Sequence, residues 1–135
     1  MSDQLYQEQL VAFAKAKVGA GKLAAPTKSA RRDNPLCGDR VTIDVRLDGQ
    51  GRIVEIAHQV RGCLLCQASA SALSSVAVGR DAAGIAALRH DAERAVGREV
   101  GEAAEPFAAF TPVAAHKSRQ ECVLLPFEAL KDALS

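Results

Sequence analysis

Three cysteines and one aspartate are the residues of this chain whose types and spacing point most directly to chemistry. Cys37 and Asp39 stand two apart, and Gly38 between them lets the backbone bend so that the two side chains converge. Cys63 and Cys122 are far away in sequence and must be brought in by the fold. Zinc takes four tetrahedral ligands drawn from sulfur, nitrogen and oxygen, whereas calcium and magnesium require oxygens. The four residues therefore predict a zinc site.

The remaining cysteine, Cys66, follows Cys63 by three residues, a spacing that zinc knuckles and redox dithiols also use. A ligand, a redox thiol and a small buried side chain all remain open for Cys66 at this point. A thiol oxidoreductase that uses Cys63 and Cys66 stays open as an alternative.

The histidines and one glutamate are weaker candidates. His58 falls on a predicted strand and His90 in a polar helical stretch, so both are expected to be structural or solvated. His116 precedes Cys122 by six residues and reaches the site only if the loop folds back. Glu121 is adjacent to Cys122, and because adjacent side chains in a turn diverge, we expect a solvated carboxylate.

The pattern of apolar residues predicts the elements that position the site. A three-to-four spacing predicts a helix over residues 4–16, and strict alternation predicts strands over 41–47 and 53–60, joined by a turn at Asp48-Gly49-Gln50-Gly51. Residues 18–33 are expected to form a loop with at most a short strand. The hairpin brings the residues just before its first strand and just after its second to the same open end.

Four helices are expected after the hairpin. They cover residues 64–78, ended by Gly79, then 81–97, then 105–115, and finally a helix that starts at or just after Cys122. Cys63 and Cys122 would then stand at helix starts, where backbone amides favour a thiolate.

Size and charge predict the number of domains and the classes of partner. The 135 residues fit one domain, 1–135. A net charge of +1, no like-charge block beyond Arg31-Arg32, and 4% aromatics without Trp argue against nucleic acid as a partner. Neither a leader-like start nor a membrane-length apolar run stands in the sequence, so we expect a cytoplasmic protein with no membrane partner. Cysteines in a reducing compartment are more often ligands or catalytic thiols than disulfides.

Three separated motifs resemble the IscU/SufU/NifU-N family. They are Asn34-Pro35-x-Cys37-Gly38-Asp39, Gly62-Cys63-x3-Gln67-Ala68-Ser69-Ala70-Ser71 and Arg119-x2-Cys122-x2-Leu125-Pro126-Phe127-x-Ala129-Leu130, in that order. The resemblance implies an α+β fold, with a small antiparallel β-sheet of about three strands and helices packed on one face. It also implies a role in iron-sulfur cluster assembly.

Two departures from IscU-like scaffolds favour the SufU-like branch of that family. The scaffolds carry a His directly before the third cysteine and a Leu-Pro-Pro-Val-Lys segment, whereas this chain has Glu121 there and lacks the segment. Cys122 follows Cys63 by 59 residues, an interval similar to that of SufU-like members, with the insertion expected in residues 80–102. Arg119, three residues before Cys122, also resembles the sulfur-relay branch.

The resemblance thus implies a relay protein rather than a stand-alone enzyme. Zinc would be held by Cys37, Asp39, Cys63 and Cys122. Cys37 would take persulfide sulfur from a SufS-type cysteine desulfurase and pass it toward downstream iron-sulfur assembly proteins, while Arg119 would steady the negative persulfide or the released Asp39. The main alternative is an IscU-like scaffold that binds a transient [2Fe-2S] cluster on the same four residues.

Overall fold

The architecture is α+β, built on a three-stranded antiparallel sheet in the order β1-β2-β3. The computed structural model describes residues 3–35 and 38–135. In chain order the elements are α1 (Asp3–Ala16), β1 (Lys28–Asn34), β2 (Asp39–Leu47), β3 (Ile53–Arg61), α2 (Leu64–Ala77), α3 (Ala82–Ala95), a 3-10 helix (Phe107–Ala115) and α4 (Lys117–Leu134). The fold class expected from the sequence is confirmed.

The β2-β3 hairpin follows the alternation in the sequence. The alternate residues Val41, Ile43 and Val45 of β2 are fully buried, because they face the helices. At the turn, the Asp48 carboxylate accepts hydrogen bonds from the backbone amides of Gln50 (2.8 Å) and Arg52 (2.9 Å). The prediction of a hairpin with a turn at residues 48–51 is confirmed.

The first strand is longer than expected, because the sequence predicts a loop with at most a short strand over residues 18–33. β1 spans seven residues and pairs with β2 along its whole length, from Lys28 opposite Val45 to Asn34 opposite Asp39. Its residues are mostly exposed or half-buried, because an edge strand can be held by backbone pairing with little apolar burial. The sequence therefore carries no alternating pattern there.

Helix α2 packs closely because its side chains are small. Ala68, Ser69, Ala70 and Ser71 are all buried in the middle of the helix. The Ser69 hydroxyl donates to the carbonyl oxygen of Val123 at 2.5 Å. This hydrogen bond joins α2 to α4. The predicted ligand Cys63 directly precedes α2, and the predicted ligand Cys122 lies in α4.

Helix α3 and the 3-10 helix agree with the sequence. Asp81 caps α3 by accepting a hydrogen bond from the Gly84 amide at 2.9 Å. The expected stripe of apolar residues is buried: Ile85, Leu88, Ala92, Ala95 and Val96.

Among the described residues, no helix combines the length and the apolar character needed to cross a membrane.

The start of α4 corrects the sequence prediction. The helix begins at Lys117 rather than at or after Cys122, so Cys122 lies in its second turn and is fully buried. The first turn, Lys117 to Gln120, is polar, and apolar spacing therefore gave no signal for it. The argument that Cys122 sits at a helix start does not hold, whereas Cys63 does immediately precede α2.

Candidate metal centre

The fold brings three of the four predicted ligands together. One ligand atom each from Asp39, Cys63 and Cys122 lies within 4.8 Å of the others. Asp39 is the first residue of β2, Cys63 directly precedes α2, and Cys122 belongs to α4. Asp39 and Cys122 are buried, whereas Cys63 is half-buried. The fourth predicted ligand, Cys37, lies outside the described residues.

The Asp39 carboxylate is held in place by the chain around Cys63. Its Oδ1 accepts a hydrogen bond from the Cys63 amide at 3.2 Å, and its Oδ2 lies 3.5 Å from the Cys63 Sγ. A Cβ atom built on Gly62 would stand 2.7 Å from both Cγ and Oδ1 of Asp39, closer than real Cβ contacts come. Gly62 is therefore required because no side chain fits between it and the carboxylate.

Two further contacts position the backbone of the centre. Gly38 has a φ of +73°, in the left-handed region that glycine adopts without strain, and its amide donates to the Asn34 carbonyl at 2.8 Å. On the other side of Asp39, the Gln67 side-chain amide donates to the Gly62 carbonyl at 3.0 Å. These bonds fix the turn before Asp39 and the entry to α2.

The donor set fits a zinc ion. Zinc binds thiolate sulfur at about 2.3 Å and carboxylate oxygen at about 2.0 Å in tetrahedral geometry, which separates the two ligand atoms by about 3.5 Å. The Cys63 Sγ and Asp39 Oδ2 are 3.5 Å apart. Two thiols and one carboxylate on three different elements leave one position of a tetrahedron for a further ligand.

Most of the weaker candidates lie apart from this centre. His58 is buried, and its Nε2 donates to the Val18 carbonyl at 2.7 Å, so it is structural, as expected. Cys66 is fully buried in α2 and is not among the described donors that gather at Asp39. Glu121 is exposed and forms an ion pair with Arg98, so its carboxylate is held by a cation rather than being merely solvated.

A second group of possible metal donors is already neutralised. One ligand atom each from His90, Glu93 and Glu99 lies within 4.8 Å of the others. However, Glu93 is 3.2 Å from the Arg89 guanidinium and Glu99 is 3.8 Å from that of Arg94. The hydrogen bond that the Glu93 carboxyl donates to Glu99 raises the pKa of Glu93 above its ordinary value. We assign no metal to this exposed cluster.

Arg119 and His116 border the centre. Both line a surface depression of about 530 Å³ together with Cys63, Leu64, Leu65 and Ser118. His116 is not among the described donors that gather at Asp39. Arg119 therefore lies close to the half-buried thiol, on the side where a reacting group can approach.

Sequence reasoning missed the roles of Arg61 and Gly62 at the centre and the contact that Arg98 makes with the residues before Cys122. Arg61 lines a second depression, of about 200 Å³, together with Asp39; pairing of the predicted strands already places it beside the site. In the sequence, Gly62 stands out only as part of a motif, and its close approach to Asp39 is visible only in the structure. Arg98 donates from its Nε to the Gln120 side-chain oxygen at 3.0 Å and pairs with Glu121, a contact between distant segments that no local pattern announces.

Comparison with known proteins agrees with this geometry. Residues 5–134 match the family model of the NifU-like N terminal domain. The chain belongs to that family. It is 33% identical over 120 residues to the bifunctional protein NifU/MnmA of Rubrobacter xylanophilus, a match that covers 84% of this chain and 25% of that protein. The chain thus spans only about a quarter of that relative's length.

Two further relatives match over nearly their whole length. The chain is 26% identical over 132 residues to the iron-sulfur cluster assembly scaffold protein IscU of Thermotoga maritima, covering 96% of this chain and 92% of that protein. The crystal structure of FiSufU, a putative iron-sulfur cluster assembly scaffold protein for the SUF system from Fervidobacterium islandicum, superposes with a TM-score of 0.87 at 29% identity, covering 100% of both chains. The IscU/SufU/NifU-N family expected from the motifs is thereby confirmed.

Proposed function

We propose that this protein is a zinc-dependent sulfur acceptor that takes persulfide sulfur from a SufS-type cysteine desulfurase and passes it toward iron-sulfur cluster assembly. The observation that carries the proposal is the convergence of Asp39, Cys63 and Cys122 from three separate elements. Family membership supports the biological setting.

Each residue has a distinct role in this proposal. Asp39, Cys63 and Cys122 would hold the zinc, with Cys37 as the remaining ligand, and bound zinc keeps cysteine ligands in the thiolate form. Cys37 stands between Pro35 and Gly38 in the sequence that joins β1 to β2, whereas Cys63 directly precedes α2 and Cys122 is buried in α4. Cys37 is therefore the ligand that exchanges at the smallest structural cost.

The transfer step conserves atoms and electrons. The Cys37 thiolate attacks the outer sulfur of the donor's persulfide, a new sulfur-sulfur bond forms on Cys37, and the donor cysteine leaves as a thiolate. Arg119, on the rim of the depression that contains Cys63, would stabilise the negative charge of the new persulfide. No external oxidant or reductant is needed.

The surroundings of Glu121 support the relay over a cluster scaffold. Glu121 precedes Cys122, and Arg98 pairs with its carboxylate while also bonding to the neighbouring Gln120. The carboxylate is thus directed toward the α3 side of the molecule. The described donors at the centre remain one carboxylate and two thiols.

The second candidate is a scaffold that binds a transient [2Fe-2S] cluster on the same residues. The name of the Thermotoga maritima relative, which matches over most of its length, favours it. The thiol oxidoreductase gains no comparable support, because Cys66 is fully buried in α2 and a redox dithiol needs an accessible pair.

Mapping the persulfide tests the relay. Zinc-loaded protein is incubated with a SufS-type desulfurase and cysteine, and persulfide is located by alkylation and mass spectrometry. We expect the label on Cys37, loss of transfer in Cys37→Ser, and normal transfer in the control Cys66→Ala. A label confined to Cys63 or Cys122, with Cys37→Ser accepting sulfur at the normal rate, would contradict the proposed acceptor.

A further inference from the structure

Two arginines of the described chain have side chains without a partner. Arg61 and Arg119 form neither an ion pair nor a side-chain hydrogen bond within residues 3–35 and 38–135. Each of the other arginines in those ranges pairs with a carboxylate or bonds to a carbonyl. The two exceptions are both exposed and both border the candidate metal centre.

The two arginines line two separate depressions beside the centre. Arg119 lines the depression that contains Cys63, and Arg61 lines the one that contains Asp39. The two depressions share no lining residue, although Asp39, which lines one, contacts Cys63, which lines the other. A single small anion is therefore not the natural ligand of both guanidinium groups.

The position of Arg61 is unfavourable for the isolated chain. In the β2-β3 ladder it stands directly opposite Arg40, and like charges facing each other across a ladder destabilise it. Arg40 is compensated by Asp33, with its Nε 2.8 Å from Oδ1. Arg61 has no such compensation, so an anionic group from outside the chain would improve its environment.

An apolar side chain accompanies the free cations. Leu64 is 46% exposed, directly follows Cys63, and lines the same depression as Arg119. Nearby acidic groups are engaged, since Asp33 pairs with Arg40 and Glu121 pairs with Arg98. The surface around the half-buried thiol thus combines unpaired positive charge with one exposed apolar residue.

We infer that Arg61, Leu64 and Arg119 form a docking surface for a protein that presents acidic side chains around an apolar recess, with Leu64 entering the recess. The inference rests on the proposed function, because the partner in question is the sulfur donor, and it specifies the chemistry of that partner's contact face. Complementary charge accelerates encounter and fixes orientation, while burial of Leu64 slows dissociation. Docking here covers both depressions beside the metal centre.

Kinetic binding measurements with a SufS-type desulfurase test the surface. Arg61→Gln removes one free charge without adding an acid beside Asp39, and Arg52→Gln is its matched control at the far end of the hairpin. Leu64→Ser removes the apolar contact at the start of α2, where serine is well tolerated. Zinc content and the far-UV circular dichroism spectrum are recorded for each variant.

We expect Arg61→Gln to lower the association rate about three- to tenfold at low ionic strength, with the difference shrinking as salt is added. Leu64→Ser should raise Kd about tenfold, mainly through faster dissociation. Arg52→Gln should bind as the wild type does.

The outcomes separate the docking surface from the proposed function. If the wild-type protein binds and accepts sulfur while Arg61→Gln and Leu64→Ser behave like Arg52→Gln, the docking surface is wrong and the relay stands. An equal loss in Arg52→Gln would show a response to overall charge and would overturn the surface. A wild-type protein that neither binds the desulfurase nor accepts its sulfur refutes the relay, and the inference with it.

Discussion

The absence of a side chain at Gly62 allows the Asp39 carboxylate to lie beside Cys63. A Cβ on Gly62 would come within 2.7 Å of that carboxylate, so Gly62→Ala must displace a ligand atom. We expect zinc affinity to fall about tenfold or more, the scale found when even an indirect support of a metal site is lost. Competition with a chromogenic chelator measures the affinity.

Gly49→Ala is the matched control for that substitution. Gly49 lies in the turn at the other end of the hairpin, and a Cβ there would have no heavy atom within 4 Å. Its zinc affinity should equal that of the wild type. If Gly62→Ala also keeps the wild-type affinity, Asp39 is not a ligand.

His58 makes folding stability sensitive to acid. Burial lowers the pKa of His58 below its ordinary value, because the charged ring would lose its hydration, and this outweighs the hydrogen bond to Val18, which favours the charged form. The unfolded chain therefore binds this proton more readily than the folded one. Stability is complete above the unfolded pKa of about 6.5 and falls as pH drops below it toward the folded pKa.

Urea unfolding at a series of pH values from 7.5 down to 5 tests this expectation. His58→Gln keeps a donor for the Val18 carbonyl but does not titrate, so its stability should fall less steeply below pH 6.5 than that of the wild type. Because His90 and His116 remain in both proteins, the difference between the two curves reports His58. Parallel curves would show that His58 titrates alike in the folded and unfolded states.

At the scale of elements, one hydroxyl joins the two helices associated with the cysteine ligands. Ser69 of α2 donates to the Val123 carbonyl of α4, next to Cys122. Ser69→Ala should lower the free energy of unfolding by about 1 kcal/mol, the net worth of a typical hydrogen bond. It should also weaken zinc binding, because the spacing of Cys63 and Cys122 depends on the contact between the helices.

Ser75→Ala controls for the loss of a hydroxyl in the same helix. The Ser75 hydroxyl donates to the Ala72 carbonyl within α2 at 2.6 Å, so its removal leaves the contact with α4 intact. Alanine favours helix more than serine does, and stability should stay the same or rise slightly. Zinc affinity that falls equally in both variants would mean that Ser69 acts only through α2 itself.

The elements also show how far the sequence leads. Alternation of apolar residues predicts the β2-β3 hairpin because one face of β2 is buried, and spacing predicts α3 for the same reason. The sequence pattern does not predict β1, because this edge strand is held by backbone pairing and buries few apolar residues. It does not predict the first turn of α4 either, because that turn is polar. The motif residues Asp39, Cys63 and Cys122 lie in one cluster, whereas the contact of Arg98 with Glu121 joins segments whose proximity only the tertiary fold determines.

At the scale of the whole molecule, the metal centre joins β2, the start of α2 and α4. Zinc that binds only the folded chain would stabilise it by mass action, by about 2.7 kcal/mol when free zinc is a hundredfold above Kd. Chelation should therefore lower the Tm by several degrees. Asp39→Ala serves as the control, because its Tm should respond much less to the chelator. Equal Tm values for the stripped and loaded wild type would show that zinc binding at this site does not stabilise the folded chain.

The metal content of protein purified anaerobically from cells grown with both zinc and iron tests the central claim most directly. Elemental analysis, a sulfide assay and a visible spectrum are taken on the same sample. The account predicts a colourless protein with about one zinc per chain, lost in Asp39→Ala and kept in Cys66→Ala. A brown protein that carries iron and acid-labile sulfide in equal amounts, with no bound zinc, would contradict it and establish a cluster scaffold.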